Sequence, residues 1–541
     1  MKRHAKPRLG ARARAGLAAL AATSLAACTV GPDYHAPQTA SPAGWRVDPA
    51  DSYWHAAQPS HAPLDPQWWK AFDNAELNDL ETQALAENQT LRVAVAHYDQ
   101  ARATLASVSS QQAPQVTLDG SLARARVSAN RPQLTYATPN MSTVQNDITV
   151  GPTISYELDL FGRIRRMVES AQASTQQAGD DLANARLVLT AELATDYYAL
   201  RELDDEIDVV NQSVTLQQKA LDFVTAQHDL GAVSGLNLLQ QKAQLDATKT
   251  QAELLANTRQ QDEHAIAVLI GKPAPEFSIA PKVTPLPVPA LPAGLPSELM
   301  QRRPDVASAE RAMAAANAQI GVARSAYYPD ITLSPSLGWE STRFGTLFSV
   351  PSLMWSLGAS AGEVLFDGGK RAAGVDYAQA GYVSAEASYR QTVLTAFEEV
   401  QNAVTGLSVL ERASTEGQAA VDDARQSYDL ANDRYQGGLV AFLDVLTAEQ
   451  QLLASERTEV QIHGQQVAMV VYLAKALGGG WSADERELAC SAGTCRAVPA
   501  AAQGAGSTGT TPGLQTQGMQ GASAVPATGN AAALAAVGGK S

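Results

Sequence analysis

The sequence predicts an α+β membrane protein in which about four strands per chain close, as a trimer, into a β-barrel of about twelve, continuous with a long α-helical coiled-coil barrel. Three observations predict it. Proline-free stretches carry a heptad seam far longer than a globular helix, short segments alternate apolar and polar side chains, and the chain matches itself in order from one half to the other.

Residues 1–27 read as a lipoprotein signal peptide. Lys2, Arg3, Lys6, Arg8, Arg12 and Arg14 precede an apolar run from Ala15 to Ala22 and then Leu25-Ala26-Ala27-Cys28. Basic region, short apolar core and small-residue cleavage site follow the order of a secretory signal, and the run is too short to span a bilayer. Cleavage before Cys28 leaves a residue that takes a diacylglycerol and an N-acyl chain, and several chains together anchor firmly where one binds reversibly. An ordinary signal with a chance cysteine is the bland alternative. Thr29 stands where lipoproteins kept at the inner membrane carry Asp, which favours outer-membrane sorting. Residues 28–75 form an N-terminal anchor segment, whose Trp54, Trp68 and Trp69 read as packing residues.

Residues 76–275 and 297–481 read as one unit written twice. Leu91 to Leu118 aligns without a gap on Val306 to Leu333, ending in Pro114-Gln115-Val116-Thr117-Leu118 against Pro329-Asp330-Ile331-Thr332-Leu333. Leu160-Phe161 matches Leu365-Phe366, Val188 to Ala191 matches Val393 to Ala396, and Gly231 to Leu239 matches Gly438 to Leu446. Each half reads as helix, two strands, long helix, tight turn, helix. No proline falls between Thr153 and Lys272 or between Ser352 and Val498, and Ala, Gln, Leu and Glu abound. A helix from Arg163 to about His228 is roughly 100 Å long at 1.5 Å per residue. Along it, Leu182, Leu189, Leu193, Leu200, Leu203, Ile207, Val210, Val214, Leu221 and Val224 keep heptad spacing, which demands a partner helix.

The strands have the other period. Ile148, Val150, Ile154, Tyr156 and Leu158 share one face of their segment, with Asp147, Thr149, Thr153, Ser155 and Glu157 on the other. Val116, Leu118 and Leu122 against Thr117, Asp119 and Ser121 repeat the pattern. Apolar outside and polar within is the pattern of a membrane barrel, and also that of a half-buried soluble sheet. Two strands per half give a sheet that cannot close alone, and an open edge in lipid is forbidden. Two copies give a barrel that side chains nearly fill, and three give one that holds water.

Pro281, Pro285, Pro287, Pro289, Pro292 and Pro296 make residues 276–296 an extended connector, followed by Ser297-Glu298 as cap and first turn of a helix. Residues 482–541 are a C-terminal extension, read as largely disordered from its Gly, Ala, Ser, Thr and Gln content. Cys490 and Cys495 lie within it; a local disulfide and two free thiols both remain open.

Composition excludes other classes. The formal net charge of −15 becomes about −21 without the signal's six bases, which disfavours a nucleic-acid partner. The eight histidines are scattered with no metal-binding spacing, no nucleophile elbow or phosphate loop is present, and no cofactor or enzymatic activity has a motif behind it.

Cys28-Thr29-Val30-Gly31-Pro32-Asp33-Tyr34, Trp68-Trp69-Lys70-Ala71-Phe72, Leu158-Asp159-Leu160-Phe161-Gly162-Arg163, Arg302-Arg303-Pro304-Asp305-Val306 and Phe366-Asp367-Gly368-Gly369 closely resemble the outer-membrane efflux protein family, in its branch of TolC-like and NodT-like lipoproteins. The resemblance runs from Cys28 to about Trp481 and leaves out the tail. It implies a homotrimeric duct from outer-membrane lipid through the periplasm, working with a periplasmic membrane-fusion adaptor and an inner-membrane pump of RND, MFS or ABC type. A periplasmic coiled-coil tether or adaptor lipoprotein, and a duct for protein secretion, are the alternatives.

In this family the two Gly-containing turns are the periplasmic tips, where the channel closes and the adaptor docks. The resemblance therefore assigns Asp444, Tyr435, Asn237, Leu443 and Leu446 to a gate, and Gly231, Val233, Leu236, Gly438 and Val440 to docking. Three copies of Asp444 would form a carboxylate ring favouring cations. A plain helix-terminus carboxylate is its structural reading, and the two are compatible. Val440 and Thr447 depart from relatives that place Arg and an acid there, so packing of Leu443 and Leu446 is expected to matter more than salt links.

Overall fold

The computed structural model describes residues 29–37, 41–42, 44–46, 65–128, 143–291 and 302–481. All of them fall in the unit formed by residues 1–497; the unit of residues 498–541, and the whole C-terminal extension 482–541, lie outside the described residues, as do Cys28, Cys490, Cys495, Trp54, Ser297 and Glu298.

The first half opens with helices α1 (Ala75–Glu87) and α2 (Gln89–Ser109). The sequence pattern suggests a single helix there; the structure breaks it at Asn88. Asn88 takes an extended backbone conformation, its Oδ1 accepts from Leu91 N at 2.8 Å, and its Nδ2 donates to Leu269 O at 2.9 Å. A side chain that caps one helix and ties down the end of another outweighs the continuity of the pattern. Strands β1 (Gln115–Val127) and β2 (Thr143–Glu157) follow, then α3 (Arg163–Asp229, 67 residues) and α4 (Gly235–Leu269, 35 residues). The second half supplies α5 (Pro304–Ser325), β3 (Asp330–Ser341), β4 (Leu353–Gly362), α6 (Lys370–Gln436, 67 residues) and α7 (Phe442–Ala476, 35 residues).

The strands form one antiparallel sheet in the order β1-β2-β3-β4. Its register sorts side chains by chemistry, because directly paired residues share a face. Val116 pairs with Ile154, Leu122 with Ile148, Val150 with Trp339 and Leu337 with Trp355, building an apolar face. Thr117 pairs with Thr153, that with Ser336 and that with Ser356, building a hydroxyl-lined one. On the edge strands the apolar face is bare in the single chain: Leu118 is 77%, Trp355 75% and Leu357 78% exposed, while Ile148 of β2 is buried.

The helices pack lengthwise, α3 on α4 and α6 on α7, and α3 also on α7. Leu182, Leu189, Leu193, Leu200, Val210 and Val224 of the heptad seam are buried. The main core lies partway along the long helices, where Trp68, Trp69, Phe72 and Leu77 pack on Tyr197, Tyr198 and Leu200 of α3 with Val404, Val467 and Val470 of α6 and α7. Trp68 and Trp69 are thus core residues, as read. Past Glu276 the connector runs extended across this region. Arg259 Nη2 donates to Ile279 O at 2.8 Å, Arg201 Nη1 to Ala280 O at 2.9 Å, and Lys282 N to Asp204 at 3.0 Å. Asp204 is buried between Arg201 at 2.7 Å and Arg259 at 2.6 Å, so a compensated charge cluster meets the peptide groups of a segment too proline-rich to pair with itself.

Candidate functional site: the helical tips and the base of the sheet

Both helix pairs turn by the same mechanism. At the first tip Gly231 has φ +74°, its N–H reaches His228 O at 2.8 Å, and Ala232 N reaches Gln227 O at 2.8 Å. At the second, Gly438 has φ +72°, its N–H reaches Tyr435 O at 2.9 Å, and Leu439 N reaches Arg434 O at 2.9 Å. This is a Schellman stop, which needs a residue in the left-handed region and so a glycine.

Asp444 sits in the first turn of α7, exposed, with Oδ2 accepting from Ala441 N at 3.0 Å. Its carboxylate thus caps the helix, and one oxygen remains for solvent. Asn237, in the matching place on α4, is half-buried and accepts from Ser234 Oγ at 3.3 Å. The Tyr435 hydroxyl donates to Gln227 Oε1 at 3.1 Å and its ring lies 5.3 Å from that of Phe442, so one side chain links the α6–α7 turn to α3. Burial raises the Tyr435 pKa, keeping the donor protonated. Leu443 and Leu446 are separated: Leu443 is 58% exposed, whereas Leu446 is buried with Val224 and Phe442 against Val233, Leu238 and Tyr435. Val233 and Val440 are half-buried, while Leu236 stands out with Leu230, Leu239 and Leu439 at the bare ends of the hairpins. Gln227 and Phe442 were not singled out from sequence; Phe442, the one aromatic in either turn, was the available signal.

At the other end the strand-to-helix corners explain two of the quoted motifs. Asp159 accepts from Ile164 N at 3.1 Å and Arg165 N at 2.8 Å, and Gly162 precedes α3 with φ +84°. Asp367 accepts from Gly369 N at 3.0 Å and Arg371 N at 3.1 Å, and Gly369 precedes α6 with φ +95°. The Arg371 side chain, 2.7 Å away, holds the Asp367 carboxyl below its ordinary pKa. A third motif ties chain segments together: buried Arg303 bridges Asp305 and Glu399 at 2.6 Å each and donates to Ala476 O at 3.0 Å at the end of α7.

The N-terminal segment is seated against these corners. Val30 N donates to Phe161 O at 3.1 Å, Asn317 Nδ2 to Pro32 O at 3.0 Å, and the Tyr34 hydroxyl to the Glu310 carboxylate. Buried Arg166 donates to Val30 O at 3.3 Å and to Asp33 at 2.8 Å. Thr29 lies on Gly162, five residues beyond the end of β2. Tyr327, 5.1 Å beneath the Arg371 guanidinium, and Tyr328, stacked on Phe161 at 4.7 Å, stand at the same level.

Among the described residues there is no group of His, Cys, Asp and Glu able to hold a metal ion, and no helix long and apolar enough to cross a membrane. An amphipathic antiparallel sheet set on two helical hairpins of equal length, with bare apolar turns at the far end, defines an outer-membrane channel protein. The chain belongs to the outer membrane efflux protein family, whose profile matches residues 80–272 and 295–479. It is 31% identical over 459 residues to the pyoverdine export outer membrane protein OpmQ of Pseudomonas aeruginosa, covering 83% of this chain and 93% of that one. It is 30% identical over 466 residues to the solvent efflux pump outer membrane protein SrpC of Pseudomonas putida, covering 85% and 97%. Of solved structures, the outer-membrane channel OprN superimposes with a TM-score of 0.77 at 32% identity, over 84% of this chain and all of that one. The family is one of ducts, not of enzymes.

Proposed function

We propose that three copies of this chain form the outer-membrane duct of a tripartite efflux system, passing toxic small molecules from a periplasmic adaptor and an inner-membrane pump to the exterior. The observation that carries this is the sheet. Among the described residues β1 pairs only with β2 and β4 only with β3, so a face that suits lipid ends in two open edges. Lipid tolerates no unpaired backbone edge, and β1 of one copy on β4 of the next closes a ring of about twelve strands around the hydroxyl-lined face. The matching lengths of α3 and α6, and of α4 and α7, support a tandem duplication with one hairpin per repeat.

Acylation of Cys28 completes the membrane attachment. Thr29 is fixed at the foot of the sheet, so acyl chains on the preceding residue would enter the leaflet beside the strands. At the far end Tyr435, Phe442 and Leu446 hold the turns of one chain together, Asp444 contributes a carboxylate to a ring of three, and Leu236, Leu439 and Leu443 are free to meet an adaptor's helical ends. OpmQ is named for pyoverdine export and SrpC for solvent efflux, two different cargoes, which favours the pump over the duct as the selector.

Planar-bilayer recording of the acylated protein is the test. Small cation-selective currents are expected, with weaker selectivity in Asp444→Ala. A trimer that stays silent even with adaptor reconstituted beside it would leave only a tether.

A further inference from the structure

One turn inward from the tip cluster, the interior holds a group of oxygens with nothing to accept from. Gln217 of α3 and Gln241 of α4 are fully buried, and Glu449 of α7 is 4% exposed. Gln241 Nε2 donates to Gln217 O at 3.0 Å, Gln217 Nε2 donates to Ser213 Oγ at 3.2 Å, and the Gln217 amide also lies in hydrogen-bond contact with the Glu449 carboxyl. Each amide nitrogen thus has a partner. Gln217 Oε1, Gln241 Oε1 and Glu449 Oε1 have no partner. Acceptors alone, buried together, are costly unless a donor joins them. The layer lies three residues beyond Leu446 on α7, so it couples three helices where the tip begins.

We propose that this layer is an interior proton site: with a proton, the Glu449 carboxyl donates to an orphan amide oxygen and ties α7 to α3 and α4, and without it Glu449 donates nothing, the orphan oxygens stay unpaired and the layer loosens. The step is a simple protonation, the carboxylate taking one proton from water and returning it as pH rises. Burial raises the Glu449 pKa from 4.5 to about 7, and its bond from Gln217 pulls the other way. Tyr428 of α6 is the titratable neighbour, its own pKa raised by burial and by Glu449. Lys219 and Lys242, the nearest bases along α3 and α4, are exposed. The folded pKa lies above the unfolded one, so the tie is complete at low pH and is lost as pH rises through about 7.

Hydrogen exchange of the intact protein, followed by mass spectrometry on peptides spanning 213–220 and 445–452, reads the layer without requiring a conducting channel. With the ionised fraction rising from about one tenth at pH 6 to about nine tenths at pH 8, exchange corrected for its intrinsic pH dependence is expected to be about tenfold faster at pH 8. Glu449→Gln, a donor at every pH, is expected to abolish that difference. If this variant does not assemble, Glu449→Met, which fills the space without titrating, replaces it. Equal protection at both pH values in the wild type overturns the proposal. So does protection that follows sodium or potassium concentration at fixed pH, which would make the guest a metal cation. Failure of the duct reading would appear separately, as absence of current.

Discussion

Gly31→Ala is expected to unseat the N-terminal segment while leaving the helices folded. Gly31 has φ +109°, and a Cβ there would stand 2.5 Å from Gly321 Cα and 3.2 Å from Gly321 N. Both obstacles are backbone, so no rotamer relieves them. The left-handed backbone alone costs an L-residue about 1–2 kcal/mol, and forced separation from α5 adds to it. Among the bonds holding the segment down are those from Val30 N to Phe161 O, from Asn317 to Pro32 O and from Arg166 to Val30 O. The neutral ones contribute about 1 kcal/mol each and the charged one about 1.5–3. The Asp33 end of its ion pair is 82% exposed and is counted as nothing. A penalty of about 2 kcal/mol weakens the clamp and raises the local opening constant about thirtyfold. Hydrogen exchange of a peptide covering 29–36 measures this directly, with the thermal midpoint of the helices as control. Wild-type protection in the variant would refute the claim that the Gly31–Gly321 crossing fixes the residue after Cys28 at the foot of the sheet.

Glu81 is buried with both carboxyl oxygens unpartnered, and burial raises its pKa from 4.5 to about 9. The folded value exceeds the unfolded one, so stability falls as pH rises from 4.5 towards 9, by about 3 kcal/mol already at pH 7; Glu81→Met should recover most of it and flatten the pH profile of chemical denaturation. Gly231→Ala and Gly438→Ala meet nothing within 4 Å, so each should lose stability through backbone strain alone, by about 1–2 kcal/mol and to the same extent, in urea melts. Tyr435→Phe keeps the ring on Phe442 and removes the bond to Gln227; it should raise the frequency of opening events in bilayers with little change in melting temperature, and an unchanged frequency would mean that this link does not restrain the turns.

What was legible in the sequence follows from the range of each interaction. Heptad spacing from Leu182 to Val224 and alternation from Ile148 to Tyr156 are local periodicities, fixed by 3.6 and 2 residues per turn, and the long helices and strands lie where these periods run. The turn glycines were legible because only one residue type takes φ above zero without strain. The break at Asn88 was not, since its second contact is Leu269 O, far along the chain. Nor was the fate of Leu446: nothing in its neighbourhood distinguishes it from Leu443, and only the arrival of Val224 from α3 buries one and leaves the other bare. The aspartates at 159 and 367 stood out as motif letters, but their work as caps needs the glycine-bent corner that brings two backbone N–H groups to each carboxylate.

That corner also explains why the two hairpins match in length. Each long helix starts from a glycine with φ near +90° at the foot of the sheet and stops at a left-handed glycine at the tip, so its residue count fixes the distance between two levels. Both counts are 67, and both return helices are 35. At 1.5 Å per residue, one inserted residue would displace a tip by about 1.5 Å and rotate its side chains by about 100°. Tyr435 would then leave Gln227, and Phe442 and Leu446 would leave Val224. A change of length in one long helix is therefore tolerable at the tip only with the same change in the other, and the equality follows from the cross-hairpin contacts at Gln227 and Val224 whatever the origin of the two halves.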